Sequence, residues 1–443
     1  MLQALAGFAN IWKVEDLRKR ILFTLAILLV YRFGGYIPVP GVNTQALSEF
    51  FSSNSNNLFS LYNSFVGGAL SRAAIFSLGI MPYITSSIII QLGGTVVPKL
   101  AELQKSGQEG RNKITQWSRY LTVLIAMIQS IGVSTWILHQ QAPSGLPLVQ
   151  SGISPFVFSA IAVLTLTTGT VFIMWLGEQI TARGIGNGIS LIIFAGIVAD
   201  IPSAIGSEWE LFINKEHSLA QQLFIMAIVV AVVAFIIFID QGTRRIPLQS
   251  PKRMVGRRVV QGQNSFLPLK VNTAGVMPVI FASAIIFLPA QLVAFFPNSQ
   301  FGQSIGRAML PGEWGYSITY IVLIVFFTYF YTAITYNPTE IADNLKKSGG
   351  FIPGVRPGRR TAEFIDQILT RVTLTCAIFL ALISVGPFFL KDQLNMSFYI
   401  GGTSVLICIG VALETLRQFQ TRLQEQNYDG FLKRGKIRGK TRY

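Results

Sequence analysis

The sequence predicts an all-α, polytopic membrane protein with ten transmembrane helices in two inverted five-helix halves. Of the 443 residues, 51% are hydrophobic and only 13% are charged, whereas soluble proteins carry about 25% charged residues. The apolar residues occur in long runs such as Phe224–Ile239. Because lipid offers no partners for backbone N–H and C=O groups, these runs must form helices. A further observation, an internal repeat, predicts the two halves.

Ten apolar segments approach the roughly 20 residues that a helix needs to cross the hydrocarbon core. The fifth is short and its ends are poorly marked. The predicted spans are Leu17–Tyr36, Ala73–Val97, Leu121–Leu138, Phe156–Leu176, Ile189–Ile201, Leu223–Ile239, Ala274–Phe296, Ile318–Tyr336, Val372–Leu390 and Phe398–Leu416. The start of the chain, Met1–Arg20, is mildly polar, and we expect no cleavable signal peptide before the first span.

Basic residues are unevenly distributed between the two sides of the membrane. Ten spans put both termini on one side, and 31 of the 36 Lys and Arg residues lie there. The positive-inside rule therefore places both termini in the cytoplasm. The five exceptions on the outer side are Arg32, Arg72, Lys215, Arg307 and Lys391. We expect a bacterial inner membrane, with a thylakoid membrane as the alternative.

Two cytoplasmic connections, 240–272 and 337–371, hold more cations than orientation alone requires. Both are long and rich in Gly and Pro, and connections of this length are usually functional. We interpret them as a docking surface for a polyanion such as ribosomal RNA, or for an acidic cytosolic protein. Anionic lipid headgroups are the alternative. The tail, 417–443, adds eight basic residues and is either an RNA contact or a solvated end.

Spans 2 and 7 contain the same motif. Residues 79–90 (GIMPYITSSIII) align without a gap with residues 275–286 (GVMPVIFASAII), at an offset of 196. The match predicts two homologous halves, 1–205 and 206–443, which enter the membrane from opposite sides because each has an odd number of spans. Inverted repeats place the working site at their interface near the midplane. We expect the Gly and Pro to weaken both helices near their beginnings, so that they bend or shift; two ordinary kinked helices are the alternative.

The spans have no ionisable residue near their centres, unlike ion-coupled transporters. They do contain isoleucine pairs at helical spacing, Ile80 with Ile84 and Ile189 with Ile193, and Ile280 matches Ile84 across the repeat. Branched apolar side chains that face inward would form a constriction that resists water and ions. Packing against lipid or a neighbouring helix is the alternative for each of them.

Residues 58–70, between spans 1 and 2, are apolar but too short to cross the membrane. The segment ends at a Gly-Gly hinge on the outer side and leads into span 2 through Arg72. We interpret it as a re-entrant or surface helix, which is either a movable stopper or packing filler. Its characteristic residues are Leu58, Phe59, Leu61, Tyr62, Phe65, Gly67 and Gly68.

The chain resembles the SecY family of bacterial protein-conducting channels over nearly its full length. The resemblance rests on residues 79–91 (GIMPYITSSIIIQ), 183–196 (RGIGNGISLIIFAG), 267–278 (LPLKVNTAGVMP) and 349–361 (GGFIPGVRPGRRT). It implies two halves hinged between spans 5 and 6, a lateral gate between spans 2 and 7, and a plug at about 58–70. The implied pore ring is Ile80, Ile84, Ile189, Ile193, Ile280 and Ile407. The implied polar gate residues are Ser87, Gln91, Gln129 and Asn272.

The resemblance also implies partners. The docking residues for the ribosome or the SecA ATPase would be Arg257, Arg258, Arg356, Arg359 and Arg360. Small subunits, SecE and SecG, would assemble with the chain, and signal sequences and nascent chains would enter it. We therefore predict the pore subunit of a translocon, which passes unfolded preproteins across the membrane and releases transmembrane segments into lipid. We expect no enzymatic activity, cofactor or metal, since a P-loop and catalytic motifs such as HExxH are absent from the sequence. A secondary transporter and a membrane-embedded protease are the alternatives.

Overall fold

The computed structural model describes residues 15–53, 58–150, 152–214, 218–249, 253–255, 258–260, 264–295, 308, 310, 312–394 and 402–434. Their helices are α1 (Glu15–Gly34), α2 (Thr44–Ser53), α3 (Leu58–Phe65), α4 (Met81–Val96), α5 (Pro98–Lys105), α6 (Gly107–His139), α7 (Pro155–Arg183), α8 (Gly188–Ile213), α9 (Leu219–Gln241), α10 (Met277–Phe295), α11 (Trp314–Thr335), α12 (Pro338–Lys347), α13 (Arg359–Leu394) and α14 (Gly402–Arg434). Each of the ten predicted spans overlaps one helix, in order α1, α4, α6 to α11, α13 and α14, but the first eight residues of the second span, 73–80, are not helical. The predicted fold class is confirmed.

Several helices are longer than the apolar runs that predicted them. In the described part of the chain, six helices are long and apolar enough to cross a membrane unaided. The helices α6, α13 and α14 also extend into polar sequence on the cytoplasmic side. Hydropathy marks the part of a helix that lies in lipid, and water lets the same helix continue beyond it. The short α5 leaves α4 at an angle of 106° on that side.

Helix α8 differs most from its prediction. The predicted span ended at Ile201, but the helix continues through Pro202 to Ile213. The predicted boundary between the halves, at 205/206, therefore lies inside α8. Asp200 falls midway along the lengthened helix and is half-buried, but it is the next-to-last residue of the predicted apolar span and not its centre. The predicted end at Ile201 is wrong because a proline usually ends a helix, whereas this one lies within it.

The repeated Gly-x-Met-Pro motif marks the start of both helices of the predicted gate. Gly79 and Gly275 adopt φ of +53° and +64°, and α4 and α10 each begin two residues later. The prolines follow in the first turn, where the missing N–H has no helical partner to lose. Gly and Pro therefore mark where these helices begin and do not bend the helical body, while the expected ability to shift stays a prediction.

The two halves meet along two seams. At one, α10 of the second half packs against α4 and α6 of the first; at the other, α14 packs against α8. The short helix α3 lies between α8 and α10. One continuous apolar cluster contains buried residues from both halves and from α3.

The described residues of the connection 240–272 include four short strands. Antiparallel β1 (Thr243–Gln249) and β4 (Asn264–Lys270) pair along their full length. Beyond them, β2 (Arg253–Val255) pairs with β3 (Arg258–Val260). The connection is thus a long hairpin that rises from the end of α9.

Candidate functional site

The six predicted ring isoleucines are supplied by four helices, two in each half. Ile80 precedes α4 as its N-cap residue and Ile84 lies one turn later, while α8, α10 and α14 supply the other four. Ile189 is half-buried. The other five are 0 to 5% exposed and lie together in the continuous apolar cluster: Ile80, Ile84, Ile193, Ile280 and Ile407.

The helix α3 sits against both halves through aromatic contacts. Phe59 stacks on Trp136 of α6 with ring centroids 4.8 Å apart. Tyr62 and Phe65 meet the ring of Phe287 of α10 edge-on, at 5.4 and 5.7 Å. Sequence analysis missed Trp136 and Phe287, since one aromatic residue in an apolar span carries no signal of its partner. The side chains of Leu58 and Leu61 lie outside the described part of the structure.

The chain after α3 approaches α8 very closely. Gly67 and Gly68 have φ of +66° and +76°, a conformation that glycine adopts without strain. Opposite them, a Cβ atom added to Gly196 would lie 2.7 Å from the carbonyl oxygen of Phe65. Glycines on both sides therefore allow the backbone after α3 to rest directly on α8.

Three of the four predicted polar gate residues, Ser87, Gln91 and Asn272, form side-chain hydrogen bonds within their own half. Gln91 donates to the Ser87 hydroxyl one turn away on α4, at 3.0 Å. Asn272 Nδ2 donates to Asp240 Oδ1 of α9, also at 3.0 Å. Gln129 is buried in α6. The bonds found for Ser87 and Asn272 thus stabilise the individual halves, and α10 meets α4 mainly through apolar side chains.

Asp240 is the centre of a polar junction at the base of the hairpin. Arg417 of α14 donates from Nη2 to Asp240 Oδ2 at 2.6 Å. The thiol of Cys376 in α13 donates to Asn272 Oδ1 at 3.4 Å. The junction therefore ties α9, α13 and α14 together just before α10 begins.

The two basic loops form one unit, which we call the cytoplasmic platform (residues 243–249, 264–270 and 336–369). Gln249 of the hairpin and Phe351 of the second loop exchange two backbone hydrogen bonds of 2.9 Å. A separate apolar cluster lies beneath: Ile246, Leu248, Leu269, Ile352, Ile365 and Leu369. Sequence analysis described the two loops separately, because residues a hundred positions apart give no sign of pairing.

The platform exposes part of the predicted docking set. Arg356, Arg359 and Arg360 are exposed, and Arg359 Nε donates to Glu363 at 3.2 Å. Arg258 begins β3, but its side chain is not described, and Arg257 lies outside the described residues. The basic tail after Arg434 lies outside them as well.

An apolar groove of about 490 Å³ runs along the seam opposite the α4–α10 contact. The first half contributes α1 and α8 to its walls, and the second half contributes α14. Its lining includes Leu25, Leu28, Leu191, Phe194, Val411 and Leu416.

The family follows from comparison with known proteins. A family model described as SecY matches residues 74–416. The chain belongs to the SecY family. It is 45% identical over 427 residues to the protein translocase subunit SecY of Escherichia coli K12, covering 96% of each chain. It is 43% identical to the same subunit of Aquifex aeolicus, covering 96% of this chain and 98% of that one.

The fold agrees with this assignment. A solved structure described as "The structure of a protein conducting channel" matches with a TM-score of 0.66 at 18% identity, over 92% of each chain. Membership of the SecY family makes this chain a multi-pass inner-membrane channel subunit of a protein translocase, not an enzyme. The transporter and protease alternatives are thereby set aside.

Proposed function

We propose that unfolded polypeptide crosses the membrane between the two halves, through the ring formed by Ile80, Ile84, Ile189, Ile193, Ile280 and Ile407. The proposal is carried by the burial of these side chains, from both halves, in or against one continuous apolar cluster. Branched apolar side chains exclude water from a narrow constriction, and they can close around a chain of any sequence because dispersion contacts are not directional. The helix α3 is the plug that covers the ring in the closed channel.

The lateral gate is the seam between α4 and α10. Because this seam is mainly apolar, an entering signal sequence replaces one set of apolar contacts with another. The exchange therefore costs little free energy for desolvating polar groups. The polar bonds of Ser87 and Asn272 keep each half intact during this exchange. Movement of α10 also withdraws Phe287 from the plug residues Tyr62 and Phe65, so gate opening loosens the plug.

Partner subunits occupy the remaining surfaces. The apolar groove spans the seam at which a clamp across both halves must bind, and we assign it to a transmembrane helix of SecE. SecG lies beside the channel. The cytoplasmic platform receives SecA or the ribosome through Arg356 and its neighbours, and these partners supply the energy for translocation. Ribosomal RNA is a matching ligand because the exposed charge is basic.

Site-specific crosslinking tests the pore ring. A photoreactive residue replaces Ile84 in one variant and Phe235, which is 47% exposed on α9, in the matched control. A secretory chain with a bulky folded tail is then trapped midway in the complete translocon. We expect crosslinks to the chain from position 84 and none from position 235.

The outcomes separate the parts of the proposal. If position 84 stays silent while the chain is demonstrably trapped, the ring assignment is wrong. If a chain cannot be trapped in the translocon at all, the proposed path through the protein is wrong.

A further inference from the structure

Two of the five basic residues on the outer side meet beside the plug. The positive-inside rule disfavours cations on that side, so their presence calls for a local cause. Arg32 lies in the last turn of α1, and Arg72 lies between the plug and α4. Both side chains are half-buried rather than extended into solvent.

Arg32 binds the backbone of the plug directly. Its Nη1 donates to the carbonyl oxygen of Gly67 at 3.0 Å. Its Nη2 donates to the Tyr36 hydroxyl at 2.9 Å. The planar guanidinium can make both bonds at once because its donors form a fixed fork, which a lysine ammonium does not offer.

Arg72 contacts the same ring as a second cation. The guanidinium carbons of Arg32 and Arg72 lie 5.0 and 4.5 Å from the centroid of Tyr36, within the range of a cation–π contact. Arg72 also packs on Gly68, where an added Cβ atom would lie 3.2 Å from Nη2. The half-buried Asp200 of α8 lies within electrostatic range of both arginines.

We propose that Arg32, Tyr36 and Arg72 form a latch that holds residues 67–68 against α8 and so keeps the plug in the closed channel. The inference rests on the proposal that α3 is a plug. The latch grips a main-chain carbonyl, so it does not depend on the side chain at position 67. It lies at the outer end of α1, where water can replace the lost bonds when the plug leaves. The latch is therefore firm in the closed channel and reversible on opening.

Plug departure can be measured by labelling. A cysteine replaces Ser60 of α3 in the complete translocon, and a membrane-impermeant maleimide is added from the outer side. The parent protein, whose Cys376 and Cys408 lie inside spans, gives the background. We expect Arg32→Gln to raise the resting labelling rate roughly tenfold, since a hydrogen bond to a charged group is lost. Arg32→Lys should give a similar rise despite keeping the charge, and Tyr36→Phe a smaller one.

The matched control is Arg111→Gln, which removes an exposed cation from the cytoplasmic end of α6 and should leave labelling unchanged. If position 60 is labelled equally at rest in the Ser60→Cys parent and in Arg32→Gln, while a trapped preprotein still raises labelling, the latch proposal is wrong and the plug assignment stands. A trapped preprotein that does not change labelling at position 60 would overturn the plug itself. If Arg32→Gln fails to accumulate, Arg32→Lys and Tyr36→Phe decide the question by the same readout.

Discussion

The plug (residues 58–70) and the cytoplasmic platform are stabilised in opposite ways. The plug has one short helix, followed by buried turns with left-handed φ at Gly67 and Gly68. Its contacts with the rest of the molecule include the rings of Trp136 and Phe287, the Arg32 fork and the hydrogen bond from the Tyr62 hydroxyl to the Leu78 carbonyl. The platform instead combines a continuous strand ladder with its own apolar core. The plug, which we propose leaves the closed position, can release such separate contacts one at a time. The platform, which we propose binds a partner, is held by contacts that form and break cooperatively.

The largest expected effect comes from a substitution in the apolar core of the platform. Ile365 is 0% exposed in that core, and Ile365→Ala should destabilise the platform by about 3 kcal/mol through the lost burial and the cavity left behind. We expect faster tryptic cleavage beside the exposed Lys346 and Lys347, with no change in the resting ion leak of proteoliposomes. Phe266→Ala is the control, since this side chain on β4 is 59% exposed. A leak that rose with the cleavage rate would show that platform and plug form a single unit.

The second prediction concerns a substitution in α8 that disturbs its contact with the plug. Gly196→Ala places a Cβ atom 2.7 Å from the Phe65 carbonyl oxygen, and the plug must shift to relieve this contact at a cost of about 2 kcal/mol. The resting ion leak should rise about thirtyfold, measured as quenching of an entrapped dye by iodide. Gly206→Ala in the same helix is the matched control, because a Cβ atom there meets nothing within 4 Å. Equal leaks in the two variants would argue against a plug seated on α8.

A charge reversal on the platform tests its proposed role in binding the ribosome. Arg356 is exposed, so Arg356→Glu should leave folding and leak unchanged while it weakens ribosome binding about tenfold at low salt. Co-sedimentation with ribosomes over a range of salt concentrations measures this, and the difference should shrink as salt rises. Arg111→Glu controls for a general change in surface charge. An equal loss of ribosome binding in Arg356→Glu and Arg111→Glu would show that Arg356 has no specific role in binding.

The smallest expected effect tests whether the plug contacts break singly. Tyr62→Phe removes the donor to the Leu78 carbonyl, 2.6 Å away, but keeps the ring against Phe287. The loss of one hydrogen bond should favour the open channel by about 1 kcal/mol, or roughly fivefold in resting leak. Combined with Arg32→Gln, the two effects should add if the contacts are independent. A double variant that leaks no more than Arg32→Gln alone would show that the two contacts are coupled.

Much of the site was predictable from sequence because its residues carry a local or repeated pattern. The isoleucine pairs stand at helical spacing, Ile280 has a counterpart in the repeat, and residues 58–70 are apolar but too short for a span. Ile407 has no such pattern and was found only through the family resemblance. Trp136 and Phe287 were missed altogether, and Gly196 entered only as the last residue of a family motif, because each acquires its role from a partner elsewhere in the fold.

The sequence alone determined the membrane class and the two inverted halves of five helices, and it predicts the orientation. These depend on composition, hydropathy and charge along the chain, which the lipid environment sorts without reference to other parts of the fold. Only the tertiary structure decided that α8 continues past Pro202, that the two basic loops share one core, and that Arg32 and Arg72 contact Gly67 and Gly68. Such contacts join residues far apart in sequence, and their energies depend on distances of a few ångström that no local pattern specifies.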